Sequence, residues 1–248
     1  MTSLFAGRRN ASWLRSLKQS NATIMVLARY FRHYCRSFCL PDDKALPMQC
    51  SRLSQVDFDQ LTLGAKVLEA DSYGAKVYLL GNGNILKIFR RKRLISSALL
   101  RPYSQRFVEN AARLTQLGIP TLQVISHHKL ELPGRTAVLY RPLPGETLLQ
   151  LSRKPGFSWD ALMPQLIELI RHLHRSGIYF RSLHLGNVVM TPDQRLGLID
   201  VADMRFLRAP LSARMVRRNV QHMARYIERE KLANQFPVAD FEAALLAH

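Results

Sequence analysis

Four side chains in this sequence, Lys87, Glu109, Asn187 and Asp200, have the types and the order that phosphoryl transfer from a nucleoside triphosphate requires. That reaction asks for a lysine on the phosphates, a carboxylate to hold the lysine and oxygen ligands for Mg²⁺. It usually also needs a carboxylate near the attacking hydroxyl. Lys87 stands in the apolar run Ile85-Leu86-Lys87-Ile88-Phe89, where alternation puts it on the face opposite Leu86 and Ile88. An ammonium there is costly without an anionic partner. Glu109 follows 22 residues on and is the only acid between Asp71 and Glu131, so it is the partner expected for Lys87.

The densest segment runs from Gly177 to Asp203, GIYFRSLHLGNVVMTPDQRLGLIDVAD. A helix is expected to end at Gly177, a loop to carry Ser182, His184 and Asn187, and a small hairpin to follow. Asp200 closes the second strand of that hairpin after three apolar residues. Asn187 and Asp200 then meet at its open end, and an amide oxygen with a carboxylate is a donor pair suited to Mg²⁺.

The motif LHLGNVV followed by the spaced LID resembles the protein-kinase-like superfamily, whose catalytic loop reads H-x-D-L-H-x-G-N ahead of a metal-binding aspartate on the next strand. Among its branches the sequence is most similar to the lipopolysaccharide core (Kdo and heptose) kinases, including relatives labelled toluene tolerance proteins, over about residues 60–230. The resemblance implies a two-lobed α+β fold, an N-lobe of antiparallel sheet with one helix and a mainly helical C-lobe. It implies ATP and Mg²⁺ as cofactors, with Lys87 on the α/β phosphates, Glu109 holding Lys87, and Asn187 and Asp200 on the metal. Gly74 would stand in the phosphate-covering turn, and the backbone near Tyr140, Arg141 and Pro142 would read adenine. His184 would be a structural hydrogen-bonder.

One position departs from that pattern. Ser182 stands where the family has its catalytic-loop aspartate, and Phe180 where a histidine is common. A serine accepts no proton at neutral pH, so the usual base is missing and transfer is expected to be slower by several orders of magnitude. Asp203 is the nearest spare carboxylate and the candidate to substitute as the catalytic base. Only some ten residues separate Asp200 from the next helix at about Leu211, which leaves no peptide platform and favours a small or lipid-linked acceptor, or none at all.

The elements that must hold these residues are legible in outline. Lys66–Ala70, Lys76–Leu80 and Ile85–Phe89 read as a three-strand meander, with Asn82-Gly83 as a hairpin turn in which both residues take positive φ. A helix over Ser104–Leu117 stops at Gly118 with Pro120 beyond, and strands follow at Val124–Ser126 and Thr136–Tyr140. Pro142, Pro144 and Gly145 mark a boundary between lobes 48–142 and 143–248. Ser158 is expected to cap a helix with apolar positions Leu162, Leu166, Leu169, Ile170 and Leu173. Strands at Val188–Met190 and Leu196–Ile199 come next, then a basic helix from Leu211 to about Leu232.

Composition bounds the rest. The 248 residues are 47% hydrophobic and 22% charged, which suits a globular chain large enough for a substantial core. Lys+Arg 36 against Asp+Glu 18 gives +18, so polyanions attract it. Residues 1–47 hold 8 basic and 2 acidic residues, a net +6, and suit an organellar presequence, a membrane-surface helix or, the favoured reading, a basic extension ahead of a start at Met48. Cys35, Cys39 and Cys50 suit a reducing compartment, and with His33 they match no standard zinc spacing.

Three functions stay open on the sequence. One is an ATP-dependent kinase of a lipopolysaccharide core sugar or similar anionic glycolipid, cytoplasmic and peripheral on the inner membrane face, with Arg90–Arg93 and Arg214–Arg225 meeting anionic lipid. Another is a pseudokinase scaffold that binds nucleotide but lacks the catalytic-loop aspartate. Nucleic-acid binding is favoured by charge and by no motif.

Overall fold

The computed structural model describes residues 49–90 and 102–247, all within one compact unit. It is an α+β structure. Strands β1 (Cys50–Leu53), β2 (Lys66–Asp71), β3 (Gly74–Leu79), β4 (Ile85–Arg90), β5 (Gln123–Leu130) and β6 (Arg135–Arg141) form a sheet in the order β1-β5-β6-β4-β3-β2. The β2-β3-β4 meander is antiparallel, as expected. The sheet as a whole is not, because β1 pairs in parallel with β5 along the edge. The run CSRL has no apolar alternation to announce a strand.

At the Asn82-Gly83 turn only Gly83 takes positive φ, at 80°. Five residues join β3 to β4, so the two-residue hairpin that needs positive φ at both positions is not used. Instead Asn82 Oδ1 accepts from the Asn84 N–H, and the Leu80 and Gly83 amides close the loop.

The two sheet faces are covered differently. Helix α1 (Gln55–Thr62), capped by Ser54 Oγ accepting from the Asp57 N–H, brings Phe58 and Leu61 over Leu86, Ile88 and Ala137. Helix α2 (Tyr103–Gln116) covers the other face, where Phe107 meets Phe89 and Tyr140. Lys87 therefore points toward α2, as the strand alternation requires.

Beyond β6 lie β7 (Glu146–Thr147), α3 (Leu148–Ser152), α4 (Met163–Arg175), β8 (Ile178–Phe180), β9 (Val188–Met190), β10 (Leu196–Leu198), β11 (Met204–Phe206), α5 (Ala213–Arg229) and α6 (Val238–Leu246). Their strands are short: β10-β9-β7 form one sheet and β11-β8 another. Ser158 does not cap α4, which begins only at Met163 with Pro164 in its first turn. A helix starting at 158 would put that proline in its interior, where the missing N–H costs about 3 kcal/mol, whereas the first turn tolerates it. Ser158 Oγ instead accepts from the Asp160 N–H. The helix ends where expected: Gly177 takes φ +69°, and a Cβ there would lie 2.5 Å from the Ala209 carbonyl.

One large core runs from α2 through α4, β8, α5 and α6, with Phe107, Leu166, Phe180, Met223 and Phe241 at its centre. Leu166, Ile170 and Leu173 are the α4 face read from periodicity. No described helix is long and apolar enough to cross a membrane. The extension at residues 1–47, with Cys35, Cys39 and His33, lies outside the described residues, as do Arg91, Lys92 and Arg93.

Candidate phosphoryl-transfer site

Lys87 is 9% exposed, and its ammonium lies 5.7 Å from the centroid of the Phe89 ring and 5.6 Å from that of Phe107. Two aromatic faces soften the cost of burying a cation, and a direct anion removes more of it. That anion is Asp200: Lys87 Nζ donates to its Oδ1 at 2.6 Å across 113 residues of chain. The carboxylate's side chain is half exposed, so the pair opens to solvent on the aspartate side. The lysine's ion pair is thus with Asp200 and not with the expected Glu109, whose carboxylate accepts from Gln105 Nε2 one turn back on α2.

Asp200 follows β10 in the left-handed region, φ 52° and ψ 48°, a conformation rare outside glycine but open to aspartate. The β9-β10 ladder continues one bond past its ends, with the Ile199 N–H on the Asn187 carbonyl at 3.1 Å. This brings Asn187 and Asp200 to the same end of the hairpin, as the sequence implied. Asn187 is buried. Its Nδ2 donates to the Ser182 carbonyl at 2.9 Å and to His184 Nε2 at 3.2 Å, so Oδ1 is the atom that could serve a metal.

Asn110 was not anticipated. It sits on the apolar face of α2 with Phe107 and Leu114, is 2% exposed, and donates through Nδ2 to the carbonyls of Val201 (2.7 Å) and Met204 (3.3 Å). Thr121 Oγ1 donates to the Leu198 carbonyl, and the Leu198 N–H donates to the Pro120 carbonyl. The sheet half of the molecule thus grips both sides of Asp200. An asparagine at a core position of a strongly amphipathic helix was the available signal.

Ser182 and Asp203, the loop position without a base and its candidate substitute, are in contact. Ser182 Oγ donates to Asp203 Oδ1 at 2.9 Å, and the Ser182 backbone N–H also hydrogen-bonds the carboxylate. Burial pushes the Asp203 carboxyl up, opposed by these two hydrogen bonds and by Arg181. A carboxylate therefore stands beside the loop position that lacks one of its own.

His184 stacks on Tyr226, rings parallel within 4° and centroids 4.2 Å apart. Burial, then the charges of His222 and Arg229, hold its pKa down at about 4. A neutral imidazole is what its role requires, since Nε2 accepts from Asn187. This agrees with the structural part expected of it.

The remaining expected residues lie on the sheet. Gly74 opens β3 at φ +102°, and Arg90 clamps its turn by pairing with Asp71 and donating to the carbonyls of Gly74 and Ala75. Arg90 is thereby spent inside the sheet and is not part of a lipid-facing cluster. Tyr140 pairs across to Ile85 and Val124. Burial and then Asp200 push its phenol pKa up, which puts the ring in the environment of the ion pair. Arg141 is exposed and donates to Gln123 Oε1 at 3.2 Å, and Pro142 follows the end of β6.

The donor set fits Mg²⁺ with phosphates: one carboxylate and one amide oxygen, both hard, beside a lysine. Among the described residues no group of three or more His, Cys, Asp or Glu could hold a metal by itself, so phosphate oxygens would have to complete the shell. Cavities of about 640 and 600 Å³ lie elsewhere, one against Ser104 and His127 and one against His174 and Leu211. Chemical convergence, not depth, marks the site. Neither a scan of protein-family models nor a search of curated proteins finds a match for this chain.

Proposed function

We propose that this chain is an atypical ATP-dependent kinase of two-lobed, protein-kinase-like fold, acting on a lipopolysaccharide core sugar or a related anionic glycolipid. The observation that carries the proposal is the Lys87–Asp200 ion pair with Asn187 at the end of the same hairpin. A buried lysine from a sheet, paired with a half-exposed carboxylate from a distant hairpin, makes a cation and an anion available to opposite ends of a metal–phosphate unit. In this reading Lys87 takes phosphate oxygens, and Asn187 Oδ1 and Asp200 take the metal. Bound Mg²⁺ would neutralise the phosphates and orient them for in-line attack. Asp203 is the proton acceptor and Ser182 the group that positions it. The exposed arginines of α5, Arg214, Arg217, Arg218 and Arg225, supply attraction to an anionic lipid surface, about 1 kcal/mol each.

A second reading, a nucleotide-binding pseudokinase scaffold, is favoured by Ser182 itself. One experiment separates the two. ATP with Mg²⁺ should raise the melting temperature, since a ligand at 100 times its Kd adds about 2.7 kcal/mol to the native state. Lys87→Ala and Asp200→Ala should each reduce the shift. Turnover of ATP that Asp200→Ala abolishes supports the enzyme, and binding without turnover supports the scaffold. If both variants shift like the parent, the site assignment is wrong.

A further inference from the structure

We infer that Ser182 is itself a phosphoryl acceptor, modified in cis by the nucleoside triphosphate bound at the Lys87–Asp200 site; this rests on the nucleotide-binding reading above. The geometry assigns two parts to one cluster. The nucleophile is Ser182 Oγ, half-buried and reachable. The base is Asp203 Oδ1, already accepting the hydroxyl proton at 2.9 Å. With its hydrogen on Asp203, Oγ keeps its lone pairs for attack, the arrangement by which a carboxylate activates a hydroxyl.

Position follows from the chain. The Ser182 carbonyl is tied to Asn187 Nδ2, so the loop that holds one metal donor also holds the hydroxyl. Asp203 lies three residues past Asp200 in a turn that Asn110 pins to α2, so the base moves with the other donor. Arg181 is adjacent in the chain and its charge acts on Asp203; Arg225 and Arg229 act on neighbouring His222. These cations would balance a phosphoserine dianion formed there.

The step balances as written. Ser182 Oγ bonds to the γ-phosphorus, the bond from that phosphorus to the β–γ bridging oxygen breaks, and the diphosphate leaves with the electron pair. The hydroxyl proton passes to Asp203 Oδ1 along the existing hydrogen bond, and solvent later takes it.

The test uses the full chain with γ-labelled ATP and Mg²⁺, read by intact mass and peptide mapping beside an ATP melting shift on the same samples. The expected result is one phosphoryl group on Ser182, formed at a rate per molecule that does not change on dilution. Ser182→Ala should lose it, Ser182→Thr should keep it, and Asp203→Asn should slow it by about 10²–10⁴-fold. The Thr and Asn variants decide the matter if the alanine variant does not fold. A melting shift with no phosphate on Ser182, phosphate on another residue, or a rate that rises with protein concentration overturns the inference and leaves the nucleotide-binding reading intact. Absence of any melting shift overturns both.

Discussion

At Ser182 the sequence and the structure lead to opposite expectations for one substitution. By sequence the loop lacks a carboxylate, and in a kinase that lacks only its usual base Ser182→Asp should raise turnover, whereas in a scaffold it should weaken ATP binding with no gain in transfer. The structure puts Asp203 in hydrogen-bond contact with that position, so a second carboxylate would face the first at close range. Like charges so close cannot both ionise, and the loop would have to hold a proton or move. We therefore expect Ser182→Asp to lower both the melting temperature and ATP turnover, checked by melting curves and steady-state rates at pH 7. A rise in turnover would return the base to position 182 and demote Asp203. The Lys87–Asp200 pair yields a second expectation at this scale. Asp200→Ala without nucleotide leaves an ammonium against two aromatic rings, so unliganded protein should melt lower. The loss should be smaller than the roughly 3–5 kcal/mol of a fully buried pair, because Asp200 is half exposed. Denaturant titration of the parent and the variant measures it.

Among the elements, α2 does more than cover the sheet. Its Asn110 ties α2 to the turn carrying Asp200 through two hydrogen bonds, beside the Lys87 ion pair from the sheet. Asn110→Ala leaves the Val201 and Met204 carbonyls without this donor in a dry environment, at a cost of about 1–3 kcal/mol. Nucleotide affinity should fall with it, because Asp200 would no longer be held in its left-handed conformation. Calorimetric titration with ATP–Mg²⁺ alongside urea denaturation tests the point: loss of stability with unchanged affinity would confine Asn110 to the core. Much of the element pattern was legible beforehand. The meander, the β9-β10 hairpin and the long α5 carry alternation, turn residues and 3.6-residue periodicity within a few residues of one another. The strand β1, the two-residue β7 and the β8-β11 pair carry none of these signals. Such short strands are defined by the partner they pair with, and that partner lies far along the chain.

For the molecule as a whole, the six histidines between His127 and His222 all have their pKa lowered, in each case chiefly by burial. For His184 the folded value is about 4, against about 6.5 unfolded. Below about pH 6.5 the unfolded chain then binds a proton that the folded chain refuses. The associated stability is complete above that pH and drains away toward pH 4. The other five histidines act in the same direction. Asp203 acts against them, since a raised carboxyl takes its proton more readily when folded, but it is one group of opposite sign. Stability should therefore fall steadily between about pH 6.5 and 4.5, well before ordinary acid denaturation. Flat urea midpoints across that range would show that the histidines are solvated in solution.

What the sequence alone determined is local chemistry: the identity and order of Lys87, Asn187 and Asp200, the face on which Lys87 sits, and the hairpin that joins the last two. These follow from alternation, turn residues and spacing, which act over a few residues and are written in the chain. What only the tertiary structure decided is pairing at a distance. It joined Lys87 to Asp200, set Asp203 against Ser182, hung the Asp200 turn from Asn110 and spent Arg90 inside the sheet. A carboxylate, an asparagine or an arginine carries no mark of its partner in its own neighbourhood. The partner is chosen by which groups folding buries together, since a buried charge or amide is stable only where another chain segment meets its hydrogen-bonding demand.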